Sequence, residues 1–381
     1  MMPPEFLCHL PFLRMEADSA QPLEPIGRLE PLPYEDWLLL EDPAMAEQER
    51  RYRNVAPIFV RVELPDGAVP GELDDAQERV IGKVIERAHT ALLLALPWRS
   101  VTAPSLSCAY VVWRELPCDV PDERGWFGPH TAEPVMAADD EGIQLGRITV
   151  WLQQRVAADG RPEQWIVQRR FGPAQREWLF SSDPSDSHAL SAQDLQKFAR
   201  HYGRLGQADW GQRRAAAVRC ADVLKLMAMP GVPVDEQTVL VVAALENLVN
   251  SGADRPLGDT FARRCAAWFA ENPEELARDT PRFRQLYAAR SDILHGGDPS
   301  EALQALADAT ANADIRALQG WLYKHTWLAV DWLVVWYAQH PDDDGAAAVF
   351  GKTLAELANA PAGQWAARRA QLVEGRTYGR S

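Results

Sequence analysis

Several things are scarce in this chain, and each shortage removes a class of function. Of 381 residues only five are cysteine. Cys8, Cys108, Cys118, Cys220 and Cys265 are scattered, odd in number and contain no C-x-x-C. That pattern argues against a disulfide framework or a zinc site and for a reducing compartment. Long apolar runs are missing as well. The longest near the C-terminus, 327–338, is broken by Asp331 and is too short to span a bilayer. The apolar patch at 6–13 contains His9 and Pro11 and lacks a basic flank, so it makes a poor signal peptide. The sequence therefore predicts a soluble, cytoplasmic protein with no membrane partner. Positive charge is in deficit too: 39 basic against 54 acidic residues, net −15. Indiscriminate coating of nucleic acid needs a broad positive field, so only a local basic site is compatible with this balance. The signatures G-x-S-x-G, H-E-x-x-H and G-x-G-x-x-G do not occur, which removes the commonest hydrolase, metalloprotease and dinucleotide-binding readings. Gly351-Lys352-Thr353 ends like a phosphate-binding loop, but Ala346 stands where the first glycine belongs. It reads as a loop starting a helix. No cofactor and no metal are expected.

What is present is an ordinary globular composition, 47% hydrophobic and 24% charged, over a length that suggests two domains. Residues 1–50 are rich in proline and acid without a sustained period, and read as an extended arm packing through Tyr34 and Trp37. Residues 51–206 read as a mixed α/β domain. Strands are expected at 55–64, 107–113, 143–152 and 163–171, with a helix over 75–96. After the polar run 181–187 the signal turns helical. Helices are expected at 191–204, 211–228, 235–251, 256–270, 280–295, 301–310, 313–339 and 352–372. Ser191 with Asp194 reads as a start signal, and Gly231, Gly252 and Gly296 as stops. The fold class is thus an α+β N-terminal domain followed by an all-α bundle over 207–381. Trp321, Trp332 and Trp336, with Leu328 and Val335, fall at core spacing on one long helix and read as bundle core or a helix-to-helix dimer seam. The charge is uneven. Residues 207–381 hold 18 basic and 22 acidic residues, net −4, leaving 21 and 32, net −11, for residues 1–206. The less repulsive host for a phosphate-bearing ligand is the helical half, and the acidic half is expected to act in specificity or gating.

One segment of the helical half carries chemistry, Leu286 to Gly297. Tyr287, Ile293 and Leu294 are expected on its buried side, and Gly296-Gly297 stops the helix just after His295. The histidine then lies in the last turn, where the helix dipole favours a cation. At ~100° per residue, Arg290 points about 140° away from His295. One regular helix cannot aim both at one atom, whereas a second copy across a two-fold axis can complete the pair.

The string Tyr-x-x-Arg-Ser-x-x-x-His-Gly-Gly at 287–297 resembles the R-x(4–6)-H motif of the HEPN superfamily, in its Apea-like form. Residues 243–248, with Glu246, resemble that branch's Glu-bearing helix. Residues 261–267, with Arg263 and Arg264, resemble the next one, its basic residues turned inward or toward the motif. The resemblance covers about 210–340. It implies a HEPN-like all-α domain, a homodimer, RNA as substrate, and metal-independent endoribonuclease activity, often in toxin or phage-defence systems. It also implies catalytic roles for Arg290, His295 and Glu246, with Ser291, Asp292, Arg263, Arg264 and Tyr287 binding RNA or supporting the site. His295 is expected to act as general acid or base, since histidine titrates near neutrality, and Arg290 to hold charge on the phosphorane. Some members of the superfamily are inactive, so the alternative is a non-catalytic dimerisation or sensor module.

Overall fold

In the computed structural model the apolar patch at the N-terminus is a central strand. The structure describes residues 4–10, 13–15, 20–32, 58–65, 73–96, 109–113, 135–138, 144–156, 162–170, 188–208, 215–228, 232–249, 257–340 and 346–373. Strand β1 (Glu5–Leu10) lies between β5 (Ile58–Glu63) and β6 (Ala109–Trp113), antiparallel to both. Phe6, Leu7, Cys8 and Leu10 are at most 1% exposed. A strand covered on both faces loses the alternation of apolar and polar residues, which is why this segment does not announce itself as a strand. With β2 (Leu13–Met15), β3 (Gln21–Pro22), β4 (Arg28–Pro31), β7 (Val135–Ala138), β8 (Gln144–Val156) and β9 (Pro162–Arg170), the sheets of this part are nearly complete. One has the order β3-β4-β5-β1-β6-β9-β8-β7 and is antiparallel throughout; β2 pairs in parallel with β10 (His188–Leu190). The N-terminal arm expected over 1–50 is therefore corrected: its described residues build strands. Tyr34 and Trp37 lie outside the described residues.

Helix α1 (Asp75–Ala95) packs on β1 and buries Ile81, Val84, Ala88 and Leu92. It starts on a capping box. Asp74 Oδ1 accepts from the amides of Ala76 and Gln77, both at 2.8 Å, and Gln77 Oε1 accepts from Asp74 N at 3.2 Å.

The chain divides into two compact units, Met1–Gly203 and Arg204–Ser381. The division falls inside α2 (Ala192–Gln207), whose start is held by Ser191 and Asp194, hydroxyl to carboxylate at 2.7 Å. The second unit is helical throughout its described residues. It contains α3 (Ala215–Ala228), α4 (Val234–Val249), α5 (Leu257–Phe269), α6 (Pro273–Leu294), α7 (Pro299–Ala309), α8 (Ile315–Gln339), α9 (Ala346–Ala358) and α10 (Ala362–Val373). Helix α6 packs on α4, α5 and α7, and α8 on α3, α4 and α7.

Three expectations for this unit need correction. The single helix over 352–372 is two, because Pro361 has no N–H to continue α9. Helix α6 begins at Pro273 rather than near 280: Asn272 caps it, accepting from Glu275 N at 2.8 Å, and Pro281 is carried inside the helix. The stretch Gly351-Lys352-Thr353 lies within α9 instead of in a loop before a helix, and Thr353 Oγ1 donates to Val349 O at 2.9 Å.

Trp332 and Trp336 are 3% and 7% exposed, so they belong to the core of this unit and not to a dimer seam. Phe350 meets both Trp336 and Trp268 edge-on, at 5.3 and 5.0 Å. Arg369 closes the same region. Its guanidinium lies 4.6 Å from the Trp332 ring centroid and donates to Trp268 O at 2.7 Å, at the carbonyl end of α5. Among the described residues no helix is long and apolar enough to cross a membrane.

Candidate functional site

Two helices bring three of the candidate residues together. Glu246 sits near the C-terminal end of α4, and Tyr287 and Arg290 share a face of α6, three residues apart, where side chains stand one above the other. Because α4 packs on α6, Glu246 falls between the two. Its Oε1 accepts a hydrogen bond from the Tyr287 hydroxyl at 3.2 Å, and its Oε2 lies 3.7 Å from Arg290 Nη2. The second distance is an ion pair without a hydrogen bond. The Arg290 and Glu246 side chains are 25% and 23% exposed, so the pair is open to a solute. Arg290 Nε is buried with no hydrogen-bond partner. The Tyr287 phenol is pushed above its ordinary range, first by burial and then by the Glu246 carboxylate. It stays a neutral donor at physiological pH.

His295 does not join them. The backbone explains where it is. His295 caps α6, its amide donating to Ser291 O at 3.0 Å, and Gly296 follows at φ +83°. The Gly297 amide bonds Asp292 O at 2.8 Å and that of Gly296 reaches Ile293 O at 3.4 Å. This is a Schellman ending. It accounts for both glycines: the first takes a left-handed conformation, and a Cβ on the second lies 3.0 Å from Asp292 O. The result is an exposed imidazole at the end of the helix whose middle holds Arg290. Gly296→Ala meets no neighbour within 4 Å, so only the backbone strain remains. We expect about 1 kcal/mol of destabilisation, read as a lowered melting temperature, with Gly296→Asn milder.

The remaining candidates make other contacts. Arg263 is exposed and bonds Asn359 Oδ1 at 2.8 Å, tying α5 to the end of α9. Arg264 donates to Val249 O at the end of α4. Both reach helix ends, each drawn to carbonyl or amide oxygens close by: exposed Arg263 departs from the expected inward or motif-facing placement, whereas half-buried Arg264 turns inward to α4. Ser291 is half-buried and Asp292 exposed. The buried side of α6 is formed by Phe283, Leu286 and Ala289, whereas Leu294 is 52% exposed and Ile293 half-buried. The missed residue is Gly258, at the start of α5. A Cβ there falls 3.1 Å from Tyr287 Cδ1, so the tyrosine ring needs that gap. Nothing in the local pattern reveals it, because the contact spans α5 and α6.

Other reactive groups in this unit are silenced. Burial pushes the Cys220 thiol up to about 12 and that of Cys265 well above its ordinary value, so neither is a nucleophile at neutral pH. Among the described residues no group of three or more His, Cys, Asp or Glu is arranged to hold a metal ion. No known protein family matches the chain, and neither a curated protein nor a solved structure matches it.

Proposed function

We propose that the protein is a HEPN-type endoribonuclease that cuts RNA without a metal ion and acts as a homodimer through its helical unit, in a toxin or phage-defence setting. The observation that carries this reading is the division of labour along α6. Arg290 is held in a half-buried pair with Glu246 of α4, while the same helix ends on the exposed imidazole of His295. A cation that stabilises developing charge is best held by the protein in advance. A group that moves protons has to reach the substrate. On one helix these two side chains diverge, and a second copy of α6 supplies the missing partner to each.

The chemistry is an internal transfer. The ribose 2′-oxygen attacks the adjacent phosphorus, its proton passes to a base, and the 5′-oxygen leaves with a proton from an acid. The product is a 2′,3′-cyclic phosphate and a 5′-hydroxyl. His295 moves the proton at one of these oxygens. Arg290 donates to the non-bridging oxygens of the phosphorane, and Glu246 orients Arg290. The experiment is cleavage of an end-labelled RNA in the presence of EDTA. We expect fragments ending in cyclic phosphate from the native protein and none from Arg290→Ala at unchanged helical content. Cleavage at the native rate by both Arg290→Ala and His295→Ala sinks the proposal.

A second reading is a non-catalytic dimerisation or sensor module. It is favoured by the fact that Arg263, Arg264 and Arg290 all tie helix to helix. Under it no RNA is cut, and His295→Ala changes no property of the protein.

A further inference from the structure

We infer that Tyr287 is a positioning residue of this site: its hydroxyl pins Glu246 and, through that carboxylate, aims the Arg290 guanidinium. The inference rests on the ribonuclease reading above. A carboxylate facing one cation at 3.7 Å can rotate about its terminal bond and lose that orientation. Here Oε1 is taken by the Tyr287 hydroxyl at 3.2 Å, and that bond fixes where Oε2 points. The ring also acts directly. Arg290 Cζ lies 5.9 Å from its centroid, at the outer reach of a cation–π contact. The Arg290 Nε is buried without a hydrogen-bond partner, so the Glu246 carboxylate and the Tyr287 ring are the contacts that hold the guanidinium.

Tyr287 itself is fixed from two further sides. It packs on Phe261 with ring centroids 5.3 Å apart, and it lies over Gly258, where any side chain meets its ring. A glycine inside the first turn of α5 is a poor helix former, and the tyrosine accounts for its presence. The arrangement is a chain of three: α5 holds the ring, the ring's hydroxyl holds Glu246, and Glu246 holds Arg290.

The test separates the hydroxyl from the ring. Tyr287→Phe keeps the ring and removes only the donor. We expect kcat for RNA cleavage to fall about tenfold, the rate equivalent of one net hydrogen bond, with KM unchanged and the melting temperature lowered by only a few degrees. Because the hydroxyl acts through Glu246, Tyr287→Phe adds no further loss on a Glu246→Ala background; losses that multiply in the double variant overturn the relay. A second measurement needs no activity. The Arg290 Nε–H resonance, identified by its loss in Arg290→Ala, is expected to exchange faster with water in Tyr287→Phe and in Glu246→Ala. If the native protein cuts no RNA, the functional reading fails and this measurement alone decides the positioning role. An unchanged Nε–H in Tyr287→Phe overturns it.

Discussion

If the proposed ribonuclease site is shared across a dimer, Arg290→Ala and His295→Ala chains, each expected to be nearly inactive alone, should regain cleavage when mixed and allowed to exchange subunits. The loss in each parent is expected to be on the order of 10²–10⁴-fold, the usual contribution of a proton-transfer group or of a preorganised donor to developing charge. Under the proposed two-fold arrangement, half the dimers of a randomly exchanged mixture are heterodimers with one complete site each, so recovery to about a quarter of the native rate is expected. The expectation rests on the proposed dimer and on where the two side chains lie. Arg290 of one chain turns toward Glu246 on α4, and His295 stands exposed past the end of the same helix. If both groups of one site came from the same chain, no heterodimer would hold an intact site and mixing would restore nothing. Subunit-exchange kinetics followed with the labelled RNA decide the matter. The stability of His295→Ala should match that of the native chain, because its side chain is exposed, whereas Arg290→Ala loses its ion pair with Glu246 and should cost up to about 1 kcal/mol.

Acidification from pH 6.5 to 4 should destabilise the helical unit by about 3 kcal/mol through His325 alone. This histidine of α8 is enclosed by Phe269, Phe283 and Trp321, with ring centroids 5.1, 5.4 and 4.3 Å away. Burial lowers its pKa from 6.5 to about 4. Lys324 and Arg282 act in the same direction, while the Nδ1 contact with Trp321 O, 2.8 Å long, and the more distant Asp279 oppose it. The sign follows from the proton count. Between pH 6.5 and 4 the unfolded chain binds a proton at this residue and the folded chain does not, so stability is full above 6.5 and falls as pH drops toward 4. His325→Phe keeps an aromatic ring in the enclosure and cannot take up the proton. Denaturant titrations at pH 7 and pH 4.5 should show the native protein losing more stability than the variant over this interval. Equal losses in the two proteins would mean that His325 charges without cost.

The helices of the second unit were legible because their signals are local. Period, caps and stops lie within a few residues of one another, as with Gly296 after α6 and, in the first unit, Ser191 and Asp194 at the start of α2. The candidate residues Glu246, Tyr287, Arg290 and His295 could likewise be read from one string and one upstream helix. Three local readings failed where a second element overruled the pattern. Strand β1 shows no alternation because both its faces are covered. The helix expected from 280 begins at Pro273, with Pro281 carried inside it, and Ile293 and Leu294 fit the apolar period yet lie where no neighbouring helix covers them fully.

By itself, then, the sequence determined that the second unit is helical and most of its helices, where α6 stops, and that a cation and an imidazole sit five residues apart near its end. Only the tertiary structure decided that Glu246 lies between Tyr287 and Arg290, that Gly258 leaves room for the tyrosine ring, and that Arg263 and Arg264 serve helix ends. The physical reason is the range of the forces involved. Backbone hydrogen bonds and caps are satisfied within one turn, and so leave a trace in neighbouring residues. Which side chain meets another across two helices depends on how whole faces pack, and no short stretch of chain records that.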